Sequence, residues 1–203
     1  MNASRRAQRG ISMIEAATTL TVLAVLLGAV APSVGTWMRN LRIRNAAESV
    51  QNGLQRARME ALRRNQTVMF SLVTASGPAA LDNTCALSSN SASWVISLDS
   101  PALQCAAALS STGTPALIEK AAAGVGSAGV TVAALQADNS TVANSVTFNG
   151  FGRVVGTTGV ARIDFDNAVT SNDYRPLRVL LTPAGAVRMC DPRITNTADP
   201  RYC

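Results

Sequence analysis

The hydrophobic pattern opens with a long apolar run near the start of the chain. Between Ile11 and Trp37 the only charged side chain is Glu15. The uncharged stretch after Glu15 is about as long as the ~20 residues that an α-helix needs to span a bilayer. The pattern therefore predicts a transmembrane helix over residues 11–37.

Beyond this run, hydrophobic residues recur at steps of three and four, which places them on one face of a helix. The opposite face is rich in arginine and carries Glu48 and Glu60, and such a charged face is usually solvated. We expect one long helix whose second half, residues 38–66, is amphipathic. Pro32 should kink its membrane half, because an interior proline removes a backbone hydrogen bond and clashes with the preceding turn. The predicted apolar face comprises Ile43, Ala46, Ala47, Val50, Leu54, Ala57 and Ala61.

From Thr67 onward the pattern changes to that of strands. Short β-branched or alternating runs are bounded by Gly, Pro, Asn and Ser, and Asn149-Gly150 and Pro183-Ala-Gly185 are turn signals between neighbouring strands. The sequence predicts an α+β fold, in which an antiparallel β domain over residues 67–203 packs on the second half of the helix. The predicted strands lie within residues 67–73, 94–98, 130–132, 146–148, 161–165 and 177–181.

The ten residues before the apolar run are basic. They contain three arginines and no acidic residue, and such a flank stays cytoplasmic and orients the helix outward. The run itself is too long for a cleaved secretory signal. A charge within a bilayer costs roughly 2.5–3.5 kcal/mol, so Glu15 is expected to serve a function and to have a cationic partner.

Gly10, Ile11 and Glu15, followed by the apolar run, resemble the class III signal peptide of type IV pilins and type II secretion pseudopilins. The resemblance implies that prepilin peptidase cleaves between Gly10 and Ile11, which removes the leader peptide, residues 1–10. It also implies N-methylation of Ile11 and pairing of Glu15 with the amine of a neighbouring subunit during assembly, an attraction that a low dielectric strengthens. Family members usually begin with Phe, so Ile11 is a departure from the pattern.

A second motif, Ala57-Arg-Met-Glu-Ala61, is similar to the Ala-Arg-x-Glu-Ala pattern of H-type pseudopilins and FimT-like minor pilins. The resemblance implies a type IV pilin-like fold, a single-pass location in the bacterial inner membrane with a periplasmic C-terminal domain, and later incorporation in a pilus or pseudopilus. The implied partners are other major and minor pilins or pseudopilins, prepilin peptidase, the inner-membrane assembly platform, and membrane lipid before assembly.

All four cysteines lie beyond the apolar run, on the side expected to face an oxidising periplasm, where disulfides persist. Four cysteines allow three pairings. We favour Cys85 with Cys105 and Cys190 with Cys203, because each pair closes a short loop and the second would staple the C-terminus. Wide spacing and the absence of histidine disfavour a metal site.

The residues expected for enzymatic chemistry are missing. The chain contains no histidine, which excludes Ser-His-Asp and Cys-His triads. Gly150-Phe-Gly-Arg153 is better explained as a tight turn than as a phosphate loop, since no helix follows it. Asp164 and Asp166 lie two residues apart on a predicted strand, where alternation toward solvent explains them. We expect neither an enzyme nor a cofactor.

The net charge of +6 includes three leader arginines, so much of the basicity belongs to the leader. Some FimT-like proteins bind DNA through a C-terminal Gly-Arg-x-Arg segment, but here the matching residues are Gly185-Ala-Val-Arg188. The missing arginine removes a phosphate contact, and such contacts dominate non-specific DNA affinity. Arg188, Arg193 and Arg201 are the remaining candidates for DNA contacts.

These observations leave several functions open. The first is a FimT- or FimU-like minor pilin of a type IV pilus, which acts in assembly or initiation. The alternatives are minor pseudopilin H of the type II secretion system, a DNA-capturing minor pilin for natural transformation, and a signal-anchored periplasmic protein unrelated to filaments. The closed loop of residues 190–203 resembles the stapled ends of type IV pilins, which favours the pilus.

Overall fold

The computed structural model describes residues 11–75, 80–110, 112–124 and 127–203, without the side chains of residues 29–32. The predicted leader, including Gly10, lies outside the described residues. The chain divides into two compact units, one ending at Met38 and the other comprising Arg39–Cys203. A single helix, α1, runs from Met13 to Arg64 and contributes to both units.

In the first unit, α1 carries apolar side chains that are exposed all around the helix. Thr18 and Thr19 donate their hydroxyls to carbonyls three residues earlier, so these polar groups are satisfied within the helix. Within the described residues no single helix is long and apolar enough to cross a membrane. The bent pair Met13–Gly28 and Ser33–Arg64 has the length and composition to do so together. The exposed apolar residues are Ile11, Met13, Ile14, Leu20, Val22, Leu23, Val25, Leu26, Leu27, Val34, Trp37 and Met38.

In the second unit, the apolar face of α1 predicted from the sequence is buried, since all seven of its residues are at most 3% exposed. Gly53 allows the helix to approach the sheet closely, because a Cβ atom there would lie 2.8 Å from both the Phe70 and Trp94 rings. Trp94 fixes this contact by donating its indole N–H to Ser49 Oγ at 3.1 Å.

In the described parts of the chain, eight strands form two antiparallel four-stranded sheets, which confirms the predicted α+β fold. The first sheet has the order β3-β2-β1-β5 and the second the order β4-β6-β7-β8. The strands are β1 Val68–Leu72, β2 Trp94–Ser97, β3 Leu117–Ala121, β4 Val130–Leu135, β5 Ser145–Phe148, β6 Arg162–Asn167, β7 Leu177–Leu181 and β8 Val187–Cys190.

One large apolar core unites α1 with both sheets. Alternate residues of β6, namely Ile163, Phe165 and Asn167, are buried, as expected for a strand with one face on the core. The first sheet is also covered on its other face, where Val95 packs in a second small cluster with Cys85 and Cys105. Burial on both faces explains why all of β2 is inaccessible to solvent.

The C-terminal end of α1 is held by an ion-pair network. Glu60 accepts hydrogen bonds from Arg63 Nη2 at 2.7 Å and from Arg64 Nε at 2.8 Å. The Arg63 guanidinium holds the pKa of the Glu60 carboxyl below its ordinary value, and Arg64 adds to the effect. Asn65 follows with a positive φ of 50° and ends the helix.

We expect Glu60→Gln to lower the free energy of unfolding by up to about 1 kcal/mol at neutral pH. Because folding depresses the pKa of Glu60, its stabilisation is present above the ordinary Glu pKa of about 4.3 and is lost as the pH falls through the folded value. Urea unfolding at a series of pH values should therefore show the variant and the parent chain converging in acid. Glu48→Gln is the control, since Glu48 forms an exposed pair with Arg44; an E60Q effect that does not change with pH would contradict the prediction.

Candidate functional site

Glu15 lies in the first turn of α1, on the exposed apolar segment. An acidic residue is favoured at this position because the helix dipole is positive at its N-terminus. Glu15 is four residues beyond Ile11, and the first cation after it in the sequence is Arg39. The carboxylate therefore lies on an apolar surface, where a charged side chain is costly unless a cation pairs with it.

The predicted kink at Pro32 is not tested. Residue 32 falls within the part of α1 whose side chains the structure does not describe. The kink therefore stays a prediction.

The structure brings the four cysteines together in the two pairs favoured from the sequence. Cys85 bonds to Cys105, with their Cα atoms 6.2 Å apart, and Cys190 bonds to Cys203, with their Cα atoms 5.2 Å apart. Both bonds close loops rather than linking one sheet to the other. Loops of about 15 residues gain ~3 kcal/mol from such a bond in the chain-entropy model.

The three arginines considered for DNA binding each have a local acceptor. Arg188 donates to the carbonyl oxygens of Tyr202 at 3.1 Å and Cys203 at 2.9 Å. Arg193 donates to the carbonyl oxygens of residues 172 and 171. Arg201 pairs with Asp199 at 2.9 Å, and this carboxylate raises the pKa of the arginine. The three side chains thus support different parts of the local structure.

Asp164 departs from the expectation that it simply faces solvent. Its side chain is 26% exposed and receives Arg162 Nη2 and Arg178 Nε, each at 2.6 Å. Arg178 reaches it from the neighbouring strand β7, directly opposite in the sheet register. Sequence alternation placed Asp164 on the outer face but could not reveal partners contributed by another strand.

The segment Gly150–Arg153 forms the tight turn predicted for it. Asn149 Oδ1 accepts the backbone N–H groups of Phe151 and Arg153, each at 3.0 Å, which closes the turn. This turn packs on the end of α1, where Arg58 Nε donates to Gly152 O at 3.1 Å. It also contacts the β7–β8 turn at Gly185, where a Cβ atom would lie only 2.0 Å from Gly152 O.

A family model described as type II transport protein GspH matches residues 46–185. Among solved structures, the type IV minor pilin FimU of Pseudomonas aeruginosa strain PAO1 is similar, at 17% sequence identity and a TM-score of 0.45. That match covers 76% of this chain and 95% of FimU. No curated protein sequence matches the chain.

Proposed function

Because this chain belongs to the type II transport protein GspH family and is therefore a minor pilin or pseudopilin, we propose that it is a FimT- or FimU-like minor subunit of a type IV pilus. Its role is in pilus assembly or initiation. The observation that carries this proposal is Glu15, a lone carboxylate on an exposed apolar helix. The disulfide-closed loop of residues 190–203 supports the pilus over the secretion system.

The proposed mechanism begins with prepilin peptidase, which cleaves between Gly10 and Ile11 and methylates the new amine at Ile11. Each mature subunit then presents one cation at Ile11 and one anion at Glu15, a single helical turn apart. Between two subunits the amine of one pairs with the carboxylate of the other, and an apolar environment of low dielectric strengthens the attraction. The pairing would align each incoming subunit with the one before it.

Before assembly, we propose, residues 11–37 anchor the chain in the inner membrane and Arg39–Cys203 lies in the periplasm. The exposed apolar side chains of the N-terminal segment are suited first to lipid and then to the helices of other subunits. Lipid provides no hydrophobic drive between helices, so association depends on close packing and polar pairing. Glu15 is the residue of this segment best able to provide the polar pair.

Mass spectrometry of the membrane-extracted protein and of sheared surface filaments tests the processing step directly. We expect a peptide that begins with N-methylated Ile11 in both fractions. An intact leader from Met1, or cleavage near Trp37, would overturn the proposal and indicate a simple anchored or secreted protein.

We expect Glu15→Ala to leave the protein in the membrane and to remove it from filaments. The substitution removes the carboxylate while keeping the apolar helix, so insertion should persist and subunit docking should fail. Immunoblots of membrane and sheared-filament fractions measure both. Glu48→Ala is the matched control, because it also removes a helical carboxylate but from an exposed pair with Arg44. Normal amounts of the Glu15→Ala chain in filaments would refute the assembly role.

A second candidate is minor pseudopilin H of the type II secretion system, which the description of the matching family favours. Deleting the gene separates the two functions. A pilus subunit should be needed for surface filaments and dispensable for protein secretion, whereas a pseudopilin should show the reverse. DNA capture has less support, because Arg188, Arg193 and Arg201 all have local acceptors.

A further inference from the structure

The outer face of the second sheet carries arginines on three adjacent strands. Arg162 on β6, Leu180 on β7 and Arg188 on β8 lie opposite one another in the register and therefore share one face. Asp164 and Arg178 form the next row on that face. Asp164 pairs with Arg162 and Arg178, whereas Arg188 donates to the carbonyl oxygens of Tyr202 and Cys203.

Above this face the loop of residues 190–203 forms the wall of a groove with a volume of 570 Å³. That volume falls within the ~300–1,000 Å³ typical of ligand pockets. We call this the arginine groove. Its lining includes Asn139, Arg162, Arg178, Leu180, Ile194 and Tyr202.

The charges on the floor of the groove do not balance. Asp164 binds both Arg162 and Arg178, which leaves one positive charge in excess. Arg162 is fully engaged, because its Nη1 also donates to Asn139 Oδ1 at 3.2 Å. Arg178 uses only its Nε on Asp164, and within the described part of the chain its two Nη atoms have no acceptor. The free end of this guanidinium is therefore available to an anion in the groove.

The wall of the groove is fixed before any ligand arrives. The Cys190–Cys203 bond closes the loop, and Asp191 N donates to Arg201 O at 2.8 Å inside it. Arg188 adds two hydrogen bonds, to the carbonyl oxygens of Tyr202 and Cys203. A preformed site loses less conformational entropy on binding than one that must be ordered.

The shape of the groove favours a peptide over a nucleic acid. The Arg178 side chain is only 21% exposed, so a ligand must reach into the groove to contact its Nη atoms. Leu180 and Ile194 give the groove an apolar component, and Tyr202 is its one aromatic lining residue among those described. Binding of single strands typically uses successive aromatic side chains for base stacking. A planar guanidinium fork is well matched to a carboxylate.

We propose that the arginine groove binds an extended peptide segment that bears a carboxylate side chain, held by the free Nη atoms of Arg178, with an apolar neighbour against Leu180 and Ile194. In the filament this segment belongs to a neighbouring subunit, an assignment that rests on the proposed function. The groove itself does not depend on that assignment.

The test uses the full chain in detergent and a short fluorescent peptide of alternating Glu and Leu, followed by fluorescence anisotropy. Binding should weaken about tenfold in Arg178→Met, since a charge-assisted pair is lost, and should be unchanged in Arg153→Met, which removes an exposed arginine elsewhere. Arg178→Lys should restore little, because lysine lacks the fork. A peptide of alternating Lys and Leu should not bind.

A second pair of variants keeps the test decisive if Arg178→Met fails to fold. Ile194→Asp places a like charge on the wall and should abolish peptide binding, whereas Thr197→Asp, on an exposed part of the same loop, should not. Unchanged binding to Arg178→Met and Ile194→Asp would overturn the proposal. Displacement of the peptide by duplex DNA would also overturn it, by assigning the groove to nucleic acid.

The source of the segment is tested in cells with a photo-crosslinker at position 194. A crosslink to another filament subunit supports the assignment. If assembled filaments contain this chain but no such crosslink, the assignment is contradicted. If the proposed function fails and no filament contains this chain, the peptide experiment still decides whether the groove binds carboxylates. The two failures are therefore distinguishable.

Discussion

Gly185→Ala should lower the free energy of unfolding by about 4 kcal/mol, through strain and steric overlap together. Gly185 has a φ of +80°, which a residue with a Cβ adopts only at a cost. The added Cβ would also lie 2.0 Å from the backbone oxygen of Gly152. Because Gly152 is tied to Arg58 of α1, the two turns would have to separate, and the end of the helix would lose a contact.

Gly156→Ala is the matched control for this variant. Gly156 has nearly the same φ, +75°, but nothing lies within 4 Å of a Cβ built on it. We expect it to cost only the strain, about 1 kcal/mol. Urea unfolding of the detergent-solubilised chain, followed by Trp94 fluorescence in a Trp37→Phe background, measures both. Equal losses in the two variants would show that the contact between the turns contributes nothing.

Phe70→Ala should cost about 3–5 kcal/mol, the range for deleting a buried aromatic side chain. Phe70 is fully buried, and its ring centroid lies 5.8 Å from that of Trp94. The ring also lies directly under Gly53 of α1, so its loss opens a cavity where helix and sheet are closest. The same unfolding experiment measures this variant.

Phe151→Ala removes the same ring from a side chain that is 79% exposed. Its expected effect is within about 0.5 kcal/mol, as for most surface substitutions. Because both variants delete the same ring, the difference between their losses of stability measures the contribution of burial. A Phe70→Ala chain as stable as Phe151→Ala would mean that the helix and sheet do not share a packed core.

The features that sequence predicted are those that depend on local periodicity. The apolar face from Ile43 to Ala61 repeats at helical steps, and its burial follows from that spacing alone. Strands with alternating or β-branched residues were equally visible. The antiparallel arrangement followed from short connections and turn signals.

The features that sequence did not reveal depend on partners far along the chain. Strand β3, Leu117–Ala121, was not predicted because it contains consecutive charges at Glu119 and Lys120. Glu119 is stabilised there by Arg56 of α1 at 2.9 Å, and Lys120 donates to the Cys105 carbonyl at 2.7 Å. The turn signal Pro183-Ala-Gly185 implies a strand on each side of it, but the sequence pattern gives no bounds for the second, which is β8, Val187–Cys190. Its place in the sheet is fixed by pairing with β7.

The candidate functional residues show the same contrast between features visible in local sequence and features that depend on distant residues. Glu15 stands out in the sequence because a carboxylate in an apolar run is expensive. The arginine groove could not be found there, since Arg162, Arg178 and the loop of residues 190–203 are brought together only by the register of β6, β7 and β8. The spacing Arg162-x-Asp164 indicates a shared face, but not what covers it.

The buried face of α1 also determines how the globular unit responds to mechanical load. Tension on the residues before Arg39 reaches the buried part of α1 through the backbone, and the seven core residues of that part are held in the packed interior at once. Sliding the helix to its next equivalent position requires a shift of about one turn, ~5.4 Å, during which all seven lose their contacts together. Because the seven residues resist the force together, their contacts should break in one step rather than one residue at a time. The part of α1 after Arg39 should therefore keep its place in the core up to a threshold force.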